Sequence, residues 1–195
     1  MKRKQPNIIP MEEMTQALLD KAYSCEMSKE QLLEMFSNCI EKKWRQEEEK
    51  FRKKVEIYLQ KNQHHIESYN ADFFDYQFGY EDAKNRYSKF KSEFDLSQRY
   101  KFYFEIICAM YKLHRTMNYG IDITSLYALL NDTHLDIDFY KYAEVVTIVC
   151  MILEEEVCTS TQCGEFYDLR KQYRIHNNFQ LTILGMIYLV EKENT

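Results

Sequence analysis

"SKEQLLEMFSNCIEKKWRQEEEKFRKKVEIYLQKN", residues 28–62, contains neither glycine nor proline. It carries Leu32, Met35/Phe36, Cys39/Ile40, Trp44, Phe51, Val55 and Tyr58/Leu59, an apolar residue or pair at helical spacing. Ser28 followed by Gln31 is a capping box, which satisfies the first free amides of a helix. Together these features predict one helix from Lys29 to about Asn62, roughly 50 Å long at 1.5 Å per residue. Its middle, "EKKWRQEEEKFRKK", is nearly all charge, with only Trp44 and Phe51 as apolar anchors. A helix of that kind either projects from a body or runs between two packing units. The anchors are sparsest at Glu47–Glu49, where a break would fall if there is one.

The rest of the chain has the same character. Among 195 residues there are 4 Gly and 2 Pro, and both prolines, Pro6 and Pro10, lie in the first ten positions. Ordinary usage is about 7% and about 5%. Sheets and α/β folds need many tight turns, which draw on both residues. The chain therefore reads as all-α, a helical bundle of seven or eight helices with one long N-terminal helix and no sheet. Hydrophobic residues make up 45% and aromatics 15%, enough for a packed core.

Further helices are expected at 11–24, over part of 71–94, and at 98–118 with Ser97 as cap and Gly120 as stop. Thr124 is expected to cap "SLYALLND". Asp136 or Asp138 would cap "DFYKYAEVVTIVCMILEEEV", whose apolar residues cover most of its circumference and mark it as the central core helix. One more helix is expected after Thr159 or Thr161, and the last after Asn177 or Asn178. The organisation expected is an N-terminal helical arm, residues 1–96, and a compact bundle, residues 97–195.

"FFDYQFGY", residues 73–80, fits no single helical face. Phe73, Phe74, Tyr76, Phe78 and Tyr80 are expected to wedge a corner between helices, with a partner-binding patch as the second reading. A base-stacking platform would be interleaved with Lys and Arg. Here the neighbours are Asp72, Asp75, Glu81 and Asp82.

The net charge is −5. Between Asp132 and Asp168 the only base is Lys141, a stretch that would repel a phosphate backbone. Its acids, Asp136, Asp138, Glu154, Glu155 and Glu156 among them, are expected to steer a protein partner with a basic surface. Glu154–Glu156 also oppose the dipole of the helix they end. The start "MKRKQPNIIP" lacks the apolar run of a signal peptide, and no 18-residue apolar run follows, so a cytoplasmic chain is expected. The six cysteines are expected as reduced, buried thiols.

Chemistry-bearing motifs are few. There is no glycine-rich phosphate loop, CxxC or HExxH, and no cofactor or metal is expected. "RKQYRIH" places Arg170 six positions before His176. This spacing resembles the Arg-x4–6-His signature of the HEPN ribonucleases, all-α domains that pair two such motifs across a dimer. The resemblance implies His176 as acid/base and Arg170 as the group that steadies phosphate charge. At the position after Arg170, where that family favours Asn, Asp or His, this chain has Lys171.

Residues 104–146 resemble the C-terminal helical segment of RteC-type regulators of Bacteroides conjugative transposons. The residues that carry the likeness are Glu105, Ile107, Ala109, Met110, Tyr111, Asn118, Gly120, Asp122, Ile123, Phe139 and Tyr140. The likeness implies a mobile-element origin. The basic tail that follows in that family is replaced here by "CMILEEEV".

Three functional expectations result. The first is a non-enzymatic helical interaction or regulatory protein, such as a phage or mobile-element accessory factor or an inhibitor of a host nucleic-acid-handling defence complex. The second is a DNA-associated transcriptional regulator using Lys42, Lys43, Arg45, Lys50, Arg52, Lys53 and Lys54. The third is a HEPN-like ribonuclease.

Overall fold

The structure, a computed structural model, describes residues 16, 20, 24, 28–68, 81–116, 123–131, 139–160 and 178–195. Among the described residues there are seven helices of four residues or more and no strand. They are α1 (Lys29–Lys61), α2 (Gln63–Ser68), α3 (Glu81–Glu93), α4 (Leu96–Thr116), α5 (Ile123–Asn131), α6 (Phe139–Ser160) and α7 (Asn178–Lys192). The chain is all-α, with the long N-terminal helix where the sequence puts it.

Local chemistry accounts for the helix ends. Ser28 and Gln31 form the capping box at α1: the Ser28 amide donates to Gln31 Oε1 at 2.9 Å, and the Gln31 amide donates to Ser28 Oγ at 3.3 Å. At the other end Asn62 takes a turn, with its side-chain amide donating to the Tyr58 carbonyl at 3.0 Å. The helical course resumes at once as α2. At α4 the cap is Asp95 and not Ser97, a correction to the sequence reading. The Gln98 amide donates to Asp95 Oδ1 at 2.8 Å and the Asp95 amide to Gln98 Oε1 at 3.0 Å, so a second capping box starts the helix two residues early.

The chain divides into two compact units, Met1–Glu47 and Glu48–Thr195. The division falls at the charge-rich middle of α1, yet the helix runs through it unbroken. In the first unit no described residue is buried. The second unit has one hydrophobic core, and that core takes in residues from both sides of position 96/97.

The packing of the second unit centres on α4 and α6. Helix α4 packs on α5, α6 and α7, and α6 packs on α3, α4, α5 and α7. Val146, Val149, Ile152, Leu153 and Val157 of α6 are all but fully buried. Each such side chain stabilises the fold by about 1.5–3 kcal/mol relative to exposure, before entropy is counted. Phe51, Val55, Tyr58 and Leu59 bring the second half of α1 into the same core, and the Phe51 ring stacks on Tyr111 at 3.9 Å, 7° from parallel. Phe94 meets Phe102 edge-on at 5.0 Å. Helix α7 approaches α6 closely because Gly185 has no side chain: a Cβ there would overlap the side chain of Val157.

Candidate functional site

The expected sites fall into two groups. Arg170, His176, Asp136, Asp138 and the aromatic residues Phe73, Phe74, Tyr76, Phe78 and Tyr80 lie outside the described residues. Glu154, Glu155 and Glu156 of α6 are described, and two of them are not on the surface. Glu155 is 6% exposed and Glu156 is 2% exposed. The Tyr58 hydroxyl donates to Glu156 Oε1 at 2.9 Å, and Ser160 Oγ donates to the same oxygen at 3.0 Å. Glu156 thus ties α1 to α6 from within. Burial raises the carboxyl pKa of Glu154, and burial together with the Glu154 and Glu156 charges raises that of Glu155. A steering surface needs solvated charge, so Glu155 and Glu156 do not supply one. The reason is geometric: α6 continues to Ser160 and is packed on several sides, so these acids sit within the core helix and not at its wet end.

Four cysteines are described, and none of them is in a disulfide. Cys108 and Cys150 are buried as expected, whereas Cys39 and Cys158 are exposed. Burial pushes the Cys108 thiol up to about 12 and the Cys150 thiol higher still, so neither ionises readily. Among the described residues no group of three His, Cys, Asp or Glu side chains could hold a metal. Among them, too, no helix is long and apolar enough to cross a membrane.

The basic residues of α1 do not make one uniform face. Arg52 gives both terminal nitrogens to Glu105, at 2.9 and 3.2 Å, and lies 4.6 Å over the Phe104 ring. That fork is committed to holding α1 against α4, and the bond to Glu105 raises the guanidinium pKa. Lys54 Nζ is 3.6 Å from Glu191, and Arg45 is 3.5 Å from Glu41. Lys42, Lys43, Lys50 and Lys53 are exposed; the first two belong to the first unit and the others to the second.

Two features remain. In the second unit an open groove of about 310 Å³ is lined by Glu56, Leu59, Gln60, Gln63, Tyr100, Lys101 and Phe104. The Tyr100 hydroxyl donates to Glu67 Oε1 at 3.4 Å. In the first unit Leu33 is 61% exposed and Trp44 is 49% exposed, and Ile40 between them is partly covered. Leu33, Ile40 and Trp44 are spaced by seven and four, so they share one face of α1. The sequence marked Trp44 only as an anchor in a charged helix. Periodicity registers that a residue is apolar and in phase, and carries no information on whether anything covers it. No family model, no curated protein and no solved structure matches this chain.

Proposed function

We propose that the chain is a non-enzymatic interaction protein that binds a protein partner through the apolar face of α1 between Leu33 and Trp44. The observation that carries this reading is the exposure of Trp44 and Leu33 on a single helix face. An isolated exposed leucine is ordinary. Trp44 stands on the same face as Leu33, and tryptophan is among the residues enriched at interface hot spots. The non-enzymatic part is supported by where reactive side chains are spent: the Cys108 and Cys150 thiols are raised by burial, and Glu156 is held by Tyr58 and Ser160. On this reading the protein regulates its partner by occupying a surface of it.

The test uses the full chain as bait in cells of its source, beside a Leu33→Ser/Trp44→Ser double variant. Both positions are exposed, so the variant keeps the helical spectrum of the parent. One defined protein recovered by the parent, and lost or weakened about 30-fold in the variant, is the expected result; a hot spot is worth about 2 kcal/mol or more. Equal recovery by both chains would remove this face from consideration.

A further inference from the structure

Resting on the proposal above, we infer that the partner docks an amphipathic helix whose apolar face is edged on one side by lysine or arginine. Leu33, Ile40 and Trp44 stand at i, i+7 and i+11, with the polar Ser37 between the first two, along about 17 Å of helix at 1.5 Å per residue. This is the spacing at which one helix presents anchors to another. Glu34 and Glu41 each follow a ridge residue by one position and are exposed, which places both carboxylates along the same edge of the ridge. Glu41 already meets Arg45 at 3.5 Å, with side chains 57% and 78% exposed. A solvated pair of that kind is worth little, so a cation on an incoming helix can replace Arg45 at small cost. Lys43 lies toward the opposite edge, so the charge pattern also fixes which way round the partner helix lies.

The acidic edge argues against a phosphate backbone and against an antiparallel second copy. Phosphate backbones are repelled by it. A second copy packed antiparallel would set the Glu34/Glu41 edge of one ridge beside the same edge of the other, like charge against like. A helix with basic residues at the flanking positions meets both demands, apolar at the ridge and cationic at the rim.

Trp44 is the only tryptophan in the chain, so its emission reports on the ridge directly. The probes are synthetic helical peptides without tryptophan that share one leucine face, edged by Lys, Gln or Glu. A fourth has the composition of the Lys peptide in scrambled order. Each is titrated into the full chain at low ionic strength. The Lys-edged peptide is expected to shift Trp44 emission to shorter wavelength and to bind about tenfold tighter than the Gln-edged one. That preference should fade as the Debye length shrinks from about 10 Å at 0.1 M to about 3 Å at 1 M salt. Glu34→Lys/Glu41→Lys should reverse it in favour of the Glu-edged peptide, and Leu33→Ser should abolish the shift.

Equal affinity for the Lys- and Glu-edged peptides would overturn the charge selection while leaving the protein-contact reading standing. A scrambled peptide as good as the Lys-edged one would overturn the helix. A free chain that is dimeric by light scattering, with Trp44 emission already at short wavelength and moving longer on dilution, would overturn it in favour of a second copy. No shift with any peptide would also overturn it, whereas failure of the protein-contact reading itself is read separately, from equal recovery of partner by the Leu33→Ser/Trp44→Ser bait.

Discussion

At the scale of single residues, Glu154, Glu155 and Glu156 place three adjacent carboxyl groups on a helix packed on several sides. Three adjacent acids read as solvated charge because ionised carboxylates are rarely buried unpaired. Glu156 meets that requirement through the Tyr58 and Ser160 hydroxyls, contacts from residues 98 positions and 4 positions away in sequence. The first of these no local pattern could announce. Glu154 and Glu155 bear the cost of burial as raised pKa values. A raised carboxyl pKa means that the folded chain binds the proton more readily than the unfolded chain. The penalty from these two groups is therefore fully present above their raised folded values. It is relieved as pH falls through those values toward the ordinary 4.5. Glu154→Gln should be more stable than the parent at pH 7, and the gap should narrow as the pH is lowered toward 4.5. Urea denaturation of parent and variant at matched pH measures it, with all other carboxylates common to both. A gap that widens on acidification would mean that Glu154 is stabilised as the anion and that its surroundings are misread.

At the scale of elements, helix identity was legible and helix ends only partly so. α1 announces itself through a capping box, an unbroken apolar period and the absence of Gly and Pro, and the structure places it at Lys29–Lys61. For α4 the sequence reading puts the cap at Ser97. Asp95 wins in the structure because its partner Gln98 completes a reciprocal pair, whereas Ser97 lies inside the first turn. Asp95→Ala should cost about 0.5–2 kcal/mol, the usual worth of an N-cap side chain. Ser97→Ala should change stability by no more than about 0.5 kcal/mol, as an exposed substitution without a special role. Chemical denaturation of the two variants separates the readings, and a larger loss at Ser97 than at Asp95 would reverse the assignment.

At the scale of the whole molecule, α1 is one helix that belongs to two units. Leu33, Ile40 and Trp44 look the same to a periodicity argument as Phe51, Val55 and Tyr58, because both sets are apolar and in phase. What separates them is what lies opposite. Phe51 has the Tyr111 ring at 3.9 Å and Tyr58 has Glu156, whereas no described residue before Phe51 is buried. Backbone hydrogen bonds of a helix are protected by the packing of its apolar face more than by helix propensity. Hydrogen exchange should therefore resolve two classes of amide within this one unbroken helix. Amides of 51–59 should open only with the core of the second unit, and those of 32–46 should exchange faster by about a hundredfold or more, since they can be released without disturbing that core. Binding of a partner at Leu33–Trp44 should slow the second class and leave the first unchanged. Uniform protection from 32 to 59 in the free chain would mean that the Leu33–Trp44 face is already covered. The exposed ridge would then be lost as a docking surface, and the proposed function with it.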